Sequence, residues 1–301
     1  MESLSVIRIA LSASDDHLED YMTQQRPFAQ VDVFSSRPYH GNPVAVVLNA
    51  EGISDAIMLQ IARWTNLSET TFILPPTRQD ADYRLRIFTP GGELPFAGHP
   101  TLGSAHAWLE NGGTPNSTGM IIQECEADLV QILQRGDTLA FEAPPTLRSG
   151  DIDEDYRSRL IAACGLLPQQ VVSHQWVDNG PGWAILRVAT AQEVLAIEPD
   201  FSLVPDAMVG VIGAYPQGSP QDFEIRAFAP RIGVIEDPVC GSLNASVGQW
   251  FIRSGVVNGS YRVSQGQKLG RAGEIIITPD ESGHIWVSGR THTLFRGTAR
   301  I

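Results

Sequence analysis

The sequence predicts an α+β fold with two pseudo-symmetric domains, each a curved, mainly antiparallel sheet wrapped around a central helix. Three observations support this prediction: segments whose hydrophobic residues alternate as in strands, an internal repeat, and two helical segments that lack charge. The length of 301 residues suits two domains of ordinary size. Hydrophobic residues make up 43% of the chain, which is enough to form a core in each domain.

The first part of the chain reads as several strands and one amphipathic helix. β-Branched and aromatic residues alternate in QVDVF, PVAVVL, TTFIL and YRLRIF, which is the pattern of half-buried strands. Residues 54–66 instead have helical periodicity. Ser54 is suited to cap the N-terminus of this helix. Ile57, Ile61 and Trp64 lie along one side of it and are expected to face the core.

The chain repeats itself in three places, always in the same order and about 140 residues apart. The paired segments are RIFTP (86–90) with RAFAP (226–230), GNPVAVVL (41–48) with GPGWAILRV (180–188), and GHPTLGSAHAW (98–108) with GSLNASVGQW (241–250). One such match between short apolar strands would be expected by chance, but three in order indicate two similar halves. The repeated arginines, Arg86 and Arg226, are expected to pair with acidic residues.

The third pair of repeated segments contains the two most unusual helices. The first is predicted over about residues 100–110, with Pro100 in its first turn, and the second from Gly241 to Arg253. Except at its last residue, neither helix contains an Asp, Glu, Lys or Arg. A helix without charge on any side is expected to be buried on every side. Each therefore becomes the central helix of one domain.

The acidic, polar stretch at 149–160 is the predicted boundary between the domains, and it leads into a short helix. It separates an N-terminal domain, residues 22–150, from a C-terminal domain, residues 151–301. The final segment, 291–301, can also complete the sheet of the first domain. Residues 1–21 are expected to form a disordered extension rather than a signal peptide, because their beginning is not basic and their apolar run is short.

Composition argues against several classes of function. The net charge of −13 opposes attraction to nucleic-acid phosphates, and no apolar run reaches the roughly 18 residues of a membrane helix. Cys125, Cys164 and Cys240 are far apart and odd in number, so neither a disulfide framework nor a paired-cysteine metal site is expected. Since nucleotide-binding glycine motifs are also missing, we expect a cytoplasmic protein that uses no cofactor and no metal.

The N-termini of the two central helices are the most favourable place for a site. Unpaired backbone N–H groups at Gly98-His99 and Gly241-Ser242 carry partial positive charge. If the two halves pack about a pseudo-twofold axis, these helix ends face each other and can bind a small carboxylate. The same groups can stabilise an enolate formed when a proton leaves the neighbouring carbon.

Four motifs resemble the PhzF family, which contains the isomerase of phenazine biosynthesis and its relatives within the diaminopimelate-epimerase fold. The motifs are GNPVAVV, NLSETTFI, FTPGGELPFAGHPTLG and EDPVCGSLNAS, and the resemblance covers residues 26–301. It implies two similar domains with the active site between them, no cofactor, and a homodimer. The implied reaction is proton transfer between carbons of a small, carboxylate-bearing substrate.

The resemblance also implies roles for individual residues. Glu69 in NLSET matches the glutamate that carries the proton, and His99 in AGHP and Asp237 in EDP match its catalytic neighbours. The positions that match groups binding the substrate are Gly98, Gly241 and Ser242. Carbon acids need a base of raised pKa in a dry cleft, which a buried glutamate provides. From the residues alone, structural roles stay open: an ion-paired carboxylate for Glu69, a backbone contact for His99, and a turn cap for Asp237.

Cys240 departs from the family, because most members have threonine at this position. In the epimerases of this fold, two opposed cysteines act as acid and base. Cys240 resembles the second of them, whereas the first falls at Ala97, which cannot hold a proton. We therefore expect Cys240 to line the substrate site with a thiol that is dispensable.

Three functions are compatible with these features. The first, which the resemblance favours, is a cofactor-independent isomerase with Glu69 as its base. The second is an epimerase, racemase or dehydratase of a small amino or hydroxy acid, with Cys240 or Asp237 as one of the bases. The third is a noncatalytic binder of small carboxylates.

Overall fold

The computed structural model describes residues 24–301. The extension expected over residues 1–21 lies outside the described residues. The α-helices are α1 (Asp55–Thr65), α2 (Gly98–Glu110), α3 (Glu154–Ala163), α4 (Ala191–Ala196) and α5 (Gly241–Arg253). The strands are β1 (Gln25–Val33), β2 (Asn42–Val47), β3 (Glu69–Leu74), β4 (Tyr83–Thr89), β5 (Gly92–Leu94), β6 (Met120–Cys125), β7 (Asp128–Arg135), β8 (Thr138–Glu142), β9 (Val171–Trp176), β10 (Ala184–Thr190), β11 (Val209–Ala214), β12 (Phe223–Ala229), β13 (Val234–Asp237), β14 (Tyr261–Gln265), β15 (Gly273–Pro279) and β16 (Ile285–Arg300).

All these strands belong to one hydrogen-bonded sheet whose order reads almost the same from both ends. The order is β1-β2-β3-β4-β6-β7-β8-β16-β15-β14-β12-β11-β10-β9, with β5 added to β4 and β13 added to β12. Counted from either end of this order, the second and third strands are parallel to each other, and so are the fourth and fifth. The internal repeat of the sequence therefore corresponds to a repeated strand order.

Strand β16 joins the two halves of this order. Its first part pairs with β15 on one side and with β8 on the other. Beyond residue 290 it pairs with β1 instead, from Thr291 opposite Val33 to Arg300 opposite Gln25. This last pairing closes β1, β2, β3, β4, β6, β7, β8 and β16 into a barrel, and α2 packs against several of these strands.

The two central helices are buried on nearly all sides, as their lack of charge predicted. Nine residues of α2 and nine of α5 are buried. Small residues let the strands come close: a Cβ atom on Gly103 would lie 2.3 Å from Cγ1 of Val44, and one on Gly248 would lie 2.8 Å from Cγ2 of Ile277. A larger residue at either position would force the neighbouring side chain to shift.

Helix α1 has the predicted N-cap but not the predicted buried side. The Ser54 side chain accepts a hydrogen bond from the backbone N–H of Ile57, whereas Trp64 is 86% exposed. The buried residues are Met58 and Ala62, one position along from the predicted stripe. Because Ala62 is small, α1 lies close to the sheet. The larger apolar side chains therefore lie at the edge of the contact between α1 and the sheet. The prediction that Trp64 faces the core is wrong.

The repeated arginines pair with acids in both halves, as predicted. Arg86 on β4 contacts Glu93 on β5 at 2.6 Å, and Arg226 on β12 contacts Glu236 on β13 at 2.8 Å. Each arginine thus links a strand to the short strand beside it. Asp55 is a second partner of Arg86.

Candidate active site

The N-termini of α2 and α5 meet in the interior. A Cβ atom added to Gly98 would lie 3.0 Å from the Cα atom of Gly241, and one added to Gly241 would lie 3.3 Å from the backbone nitrogen of His99. No side chain larger than hydrogen fits between the helices here. The backbone N–H groups of two helix N-termini, with their partial positive charges, are thereby brought to one place.

Glu69 and His99 form a buried contact beside this junction. Glu69 is the first residue of β3 and His99 the second of α2, and they are 8% and 3% exposed. Oε2 of Glu69 lies 3.1 Å from Nε2 of His99. Neither atom has another hydrogen-bond partner within residues 24–301.

Burial favours the uncharged forms of both residues. It raises the pKa of Glu69 well above the usual value, and the nearby charge of Asp237 raises this pKa further. Burial also lowers the pKa of His99 to about 3, opposed by a hydrogen bond to the backbone of Pro43. At neutral pH the contact therefore joins a neutral imidazole to a carboxyl group that holds its proton strongly.

Asp237 approaches from the other half of the chain, at the end of β13. Its Oδ1 atom accepts hydrogen bonds from Nδ2 of Asn42 at 2.9 Å and from the backbone N–H of Val239 at 3.0 Å. Burial raises the pKa of Asp237 to about 6, although hydrogen bonds from Val239, Cys240 and Asn42 oppose the shift. The site thus combines two carboxyl groups whose environments separate their proton affinities.

Asn42 is a site residue that sequence reasoning missed. It begins β2 and is fully buried. Its Nδ2 atom lies near three acceptors: Nδ1 of His99 at 3.2 Å, Oδ1 of Asp237, and the carbonyl oxygen of Val239 at 3.1 Å. The motif GNPVAVV contains this residue, but its hydrophobic pattern indicates only the start of a strand.

Ser242, in the first turn of α5, is held by two residues of the β9–β10 loop that sequence reasoning also missed. The indole N–H of Trp183 donates to Oγ of Ser242 at 3.0 Å. The side-chain amide of Asn179 donates to the Ser242 carbonyl oxygen at 3.1 Å. Because the hydroxyl oxygen accepts from the indole, the Ser242 O–H can donate either to Sγ of Cys240 at 3.5 Å or to a ligand.

Cys240 and Ala97 occupy equivalent positions as the N-caps of α5 and α2. The Cys240 thiol is 3% exposed and lies 3.5 Å from Oγ of Ser242. Burial, followed by the charge of Asp237, raises the pKa of this thiol well above its usual value. The group is therefore a neutral thiol, and the opposite cap offers no proton.

The structure thus brings together the side chains proposed for catalysis, Glu69, His99 and Asp237, with the groups proposed for binding. The binding set comprises Gly98, Gly241, Ser242 and Cys240. Within residues 24–301, no group of three or more His, Cys, Asp or Glu residues could hold a metal ion. Over the same range, no helix is long and apolar enough to cross a membrane. Chemically, the arrangement places a buried carboxyl group of raised pKa beside the backbone N–H groups of two helix N-termini.

Comparison with known proteins gives matches along almost the whole chain. A family model described as "Phenazine biosynthesis-like protein" matches residues 31–299. "Antisense-enhancing sequence 1" of Schizosaccharomyces pombe is 38% identical over 295 residues, covering 92% of this chain and 99% of that protein. The trans-2,3-dihydro-3-hydroxyanthranilate isomerase of Pseudomonas aeruginosa is 30% identical over 292 residues, covering 91% and 99%.

A solved structure supports the fold independently. The PhzF-family protein of Enterococcus faecalis superimposes with a TM-score of 0.77 at 24% identity, covering 92% of this chain and all of that one. At this identity the likeness concerns the fold alone. The shared architecture is rich in sheet, has few helices and includes a closed barrel region.

Proposed function

Because the chain belongs to the PhzF family of phenazine biosynthesis-like proteins, we propose that Glu69 moves a proton between two carbons of a small, carboxylate-bearing substrate without a cofactor. The protein is an isomerase, the class named for several of its relatives. The single observation that carries the proposal is the buried Glu69 carboxyl beside His99, where the N-termini of α2 and α5 meet.

In the proposed reaction the ionised form of Glu69 is the base. It takes a proton from the carbon next to the substrate carboxylate, so that a C–H bond breaks and an O–H bond forms. The negative charge moves into the substrate as an enolate, which the N–H groups at Gly98 and Gly241 stabilise. Glu69 then returns the proton to another carbon, and the substrate is isomerised without loss or gain of atoms.

The high proton affinity of Glu69 suits this role. A base with a raised pKa removes a proton from carbon more readily than an ordinary carboxylate, although a smaller fraction of it is ionised at neutral pH. The charge of an ionised Asp237 raises the pKa of Glu69 and so favours its protonated form. His99 contributes as the neutral hydrogen-bonding neighbour at 3.1 Å, and Ser242 contributes its hydroxyl as a donor to the substrate carboxylate.

The proposal includes the finer organisation implied by the family. Residues 22–150 and 151–301 are two pseudo-symmetric domains with the site between them, and the enzyme is a cytoplasmic homodimer. Three free cysteines are in keeping with a reducing compartment. Size-exclusion chromatography with light scattering tests the dimer, and a monomeric mass would remove it from the proposal.

Hydrogen exchange tests the role of Glu69. Small amino and aromatic carboxylates, including trans-2,3-dihydro-3-hydroxyanthranilate, are incubated with the enzyme in D2O, and deuterium at carbon is followed by NMR and mass spectrometry. We expect exchange with the native enzyme and a loss of at least about a hundredfold in Glu69→Gln, the lower limit of the range for general acid–base groups.

Glu224→Gln is the matched control. Glu224 is also fully buried with a raised pKa, caused mainly by burial, but its hydrogen-bond partners are Tyr215 and Gln267, outside the site. We expect this variant to exchange at the native rate. Exchange that persists in Glu69→Gln would remove Glu69 from its role.

A thiol-dependent epimerase is the second candidate, favoured by one observation: the Cys240 thiol at the start of α5, 3.5 Å from Ser242. Cys240→Ser and Cys240→Thr separate the two chemistries, because proton transfer by Glu69 survives either change whereas thiol catalysis is lost. Inversion of a stereocentre or loss of water would be detected in the same incubations. Thermal stabilisation by carboxylates without any exchange would instead indicate the noncatalytic binder.

A further inference from the structure

The buried Asn42 amide has more acceptors around it than it has hydrogens. Nδ2 carries two hydrogens, and it faces Oδ1 of Asp237 at 2.9 Å, the Val239 carbonyl at 3.1 Å and Nδ1 of His99 at 3.2 Å. Rotating the amide by half a turn would place Oδ1 against two oxygens, one of them a carboxylate. The amide is therefore held in this orientation, and its two hydrogens must be divided among three neighbours.

The ionisation of Asp237 decides how the hydrogens are divided. An ionised Asp237 and the Val239 carbonyl can only accept, and they lie at the two shorter distances. Both hydrogens then go to them, and none is left for His99. Nδ1 of His99 must carry its own hydrogen, for which the backbone of Pro43 is the acceptor. In this state Nε2 is unprotonated and faces Glu69.

A protonated Asp237 reverses the arrangement. Its carboxyl group then has a hydrogen of its own and no longer competes strongly for the amide, so one hydrogen of Asn42 can pass to Nδ1 of His99. The imidazole hydrogen moves to Nε2, where it is a donor towards Glu69 at 3.1 Å. A donor at this position stabilises the ionised form of Glu69.

We propose that Asn42 is a positioning residue that couples the protonation of Asp237 to the tautomer of His99, and through His99 to Glu69. When Asp237 is ionised, Glu69 keeps its own proton and donates it towards Nε2. When Asp237 takes up a proton from solvent, His99 presents Nε2–H to Oε2 of Glu69, and this donor favours the ionised form of Glu69.

The catalytic role of this coupling rests on the proposed isomerisation, in which the coupling gives Asp237 a distinct part. Glu69 becomes the reactive base when the proton resides on Asp237, and Asn42 transmits this state across the junction between β2 and β13. The other titratable groups that act on Asp237 are Glu236 and Cys240. Cys240 stays neutral, because burial raises the pKa of its thiol well above the usual value.

NMR of protein labelled with ¹⁵N-histidine tests the coupling without any substrate. The ¹⁵N shifts of a histidine ring distinguish a protonated from an unprotonated nitrogen, and His99→Gln identifies the signals of His99. We expect Nδ1–H above the titration of Asp237, which has a pKa of about 6, and an increasing fraction of Nε2–H below it. In Asn42→Ala this pH-dependent change should be lost.

Asn244→Ala is the matched control. Asn244 is equally buried, and its Nδ2 donates to the Cys240 carbonyl and to Gln265, but not to His99. We expect the tautomer change to persist in this variant. A native protein with Nε2–H throughout, or an unchanged pH dependence in Asn42→Ala, would overturn the coupling.

The native titration is decisive even if Asn42→Ala does not fold. The experiments also distinguish a failure of the coupling from a failure of the proposed isomerisation. Absence of hydrogen exchange with every candidate substrate leaves the tautomer result intact. A pH-independent tautomer removes the coupling while leaving Glu69 as the base.

Discussion

Replacing Gly98 by alanine tests the contact between the two central helices most directly. The added Cβ atom would lie 2.7 and 2.8 Å from two ring atoms of Phe141 and 3.0 Å from the Cα atom of Gly241. The Phe141 ring is fully buried and packs against Phe96, with 5.4 Å between ring centroids. Neither the ring nor the backbone of α5 can withdraw freely, so we expect the two helix N-termini to move apart.

The magnitude follows from two opposed effects. Overpacking a well-packed core costs about 1–3 kcal/mol, whereas alanine is preferred over glycine in a helix by up to about 1 kcal/mol. We therefore expect Gly98→Ala to lower the free energy of unfolding by about 1–2 kcal/mol. A loss of this size lowers Tm by about 2–8 °C in a domain of 150–250 residues.

Differential scanning calorimetry of Gly98→Ala beside Gly297→Ala measures the effect. A Cβ atom on Gly297 would meet nothing within 4 Å, so this control should change stability by no more than about 0.5 kcal/mol. We also expect Gly98→Ala to bind small carboxylates more weakly, because the backbone donors separate. Equal Tm values for the two variants would refute the close contact of the helices.

Three further changes test other parts of the structure. Met58→Ala should lower the free energy of unfolding by about 2–5 kcal/mol, because Met58 is fully buried. Trp64→Gln on the same helix should change it by no more than about 0.5 kcal/mol. Similar losses for the two variants in urea titrations would contradict the observed buried side of α1. Asp237→Asn should gain stability relative to the native protein as pH rises. The folded-state pKa of Asp237 is about 6 instead of 3.8, so the native protein loses additional stability as pH increases through this window. A Tm difference that is independent of pH would contradict this. Trp183→Phe should weaken carboxylate binding, since the indole N–H donor to Ser242 is lost, and should also lower stability, because the smaller ring leaves a cavity at this buried position. Carboxylate-induced thermal shifts equal to those of the native protein would refute the effect on binding.

The sequence predicted the central helices because a helix that is buried on every side has a distinctive composition. A segment that must contact other residues on every side cannot carry charge, so α2 and α5 were recognisable without any long-range information. The buried side of α1 was not, since Ile57, Ile61 and Trp64 form as plausible a stripe as Met58 and Ala62. Which stripe packs depends on the sheet below, and that is a tertiary property.

The site residues also divide into those that the sequence predicted and those that it did not. Glu69, His99 and Asp237 were recognised from the family motifs that contain them, and the structure brings their side chains together. Asn42 and Trp183 were missed because their importance lies in hydrogen bonds to residues far away in the sequence. A buried amide at the start of a strand leaves no periodic pattern, so only the folded arrangement identifies its partners.

The placement of β16 has a consequence for how the protein is made. Gln25 pairs with Arg300, so β1 emerges from the ribosome long before its neighbour in the barrel has been translated. Until then β1 can pair with β2, but its other edge has no partner, and such an edge favours association with other chains. We expect refolding from denaturant to be slow for the same reason, because residues so far apart along the chain must meet before β1 and β16 can pair.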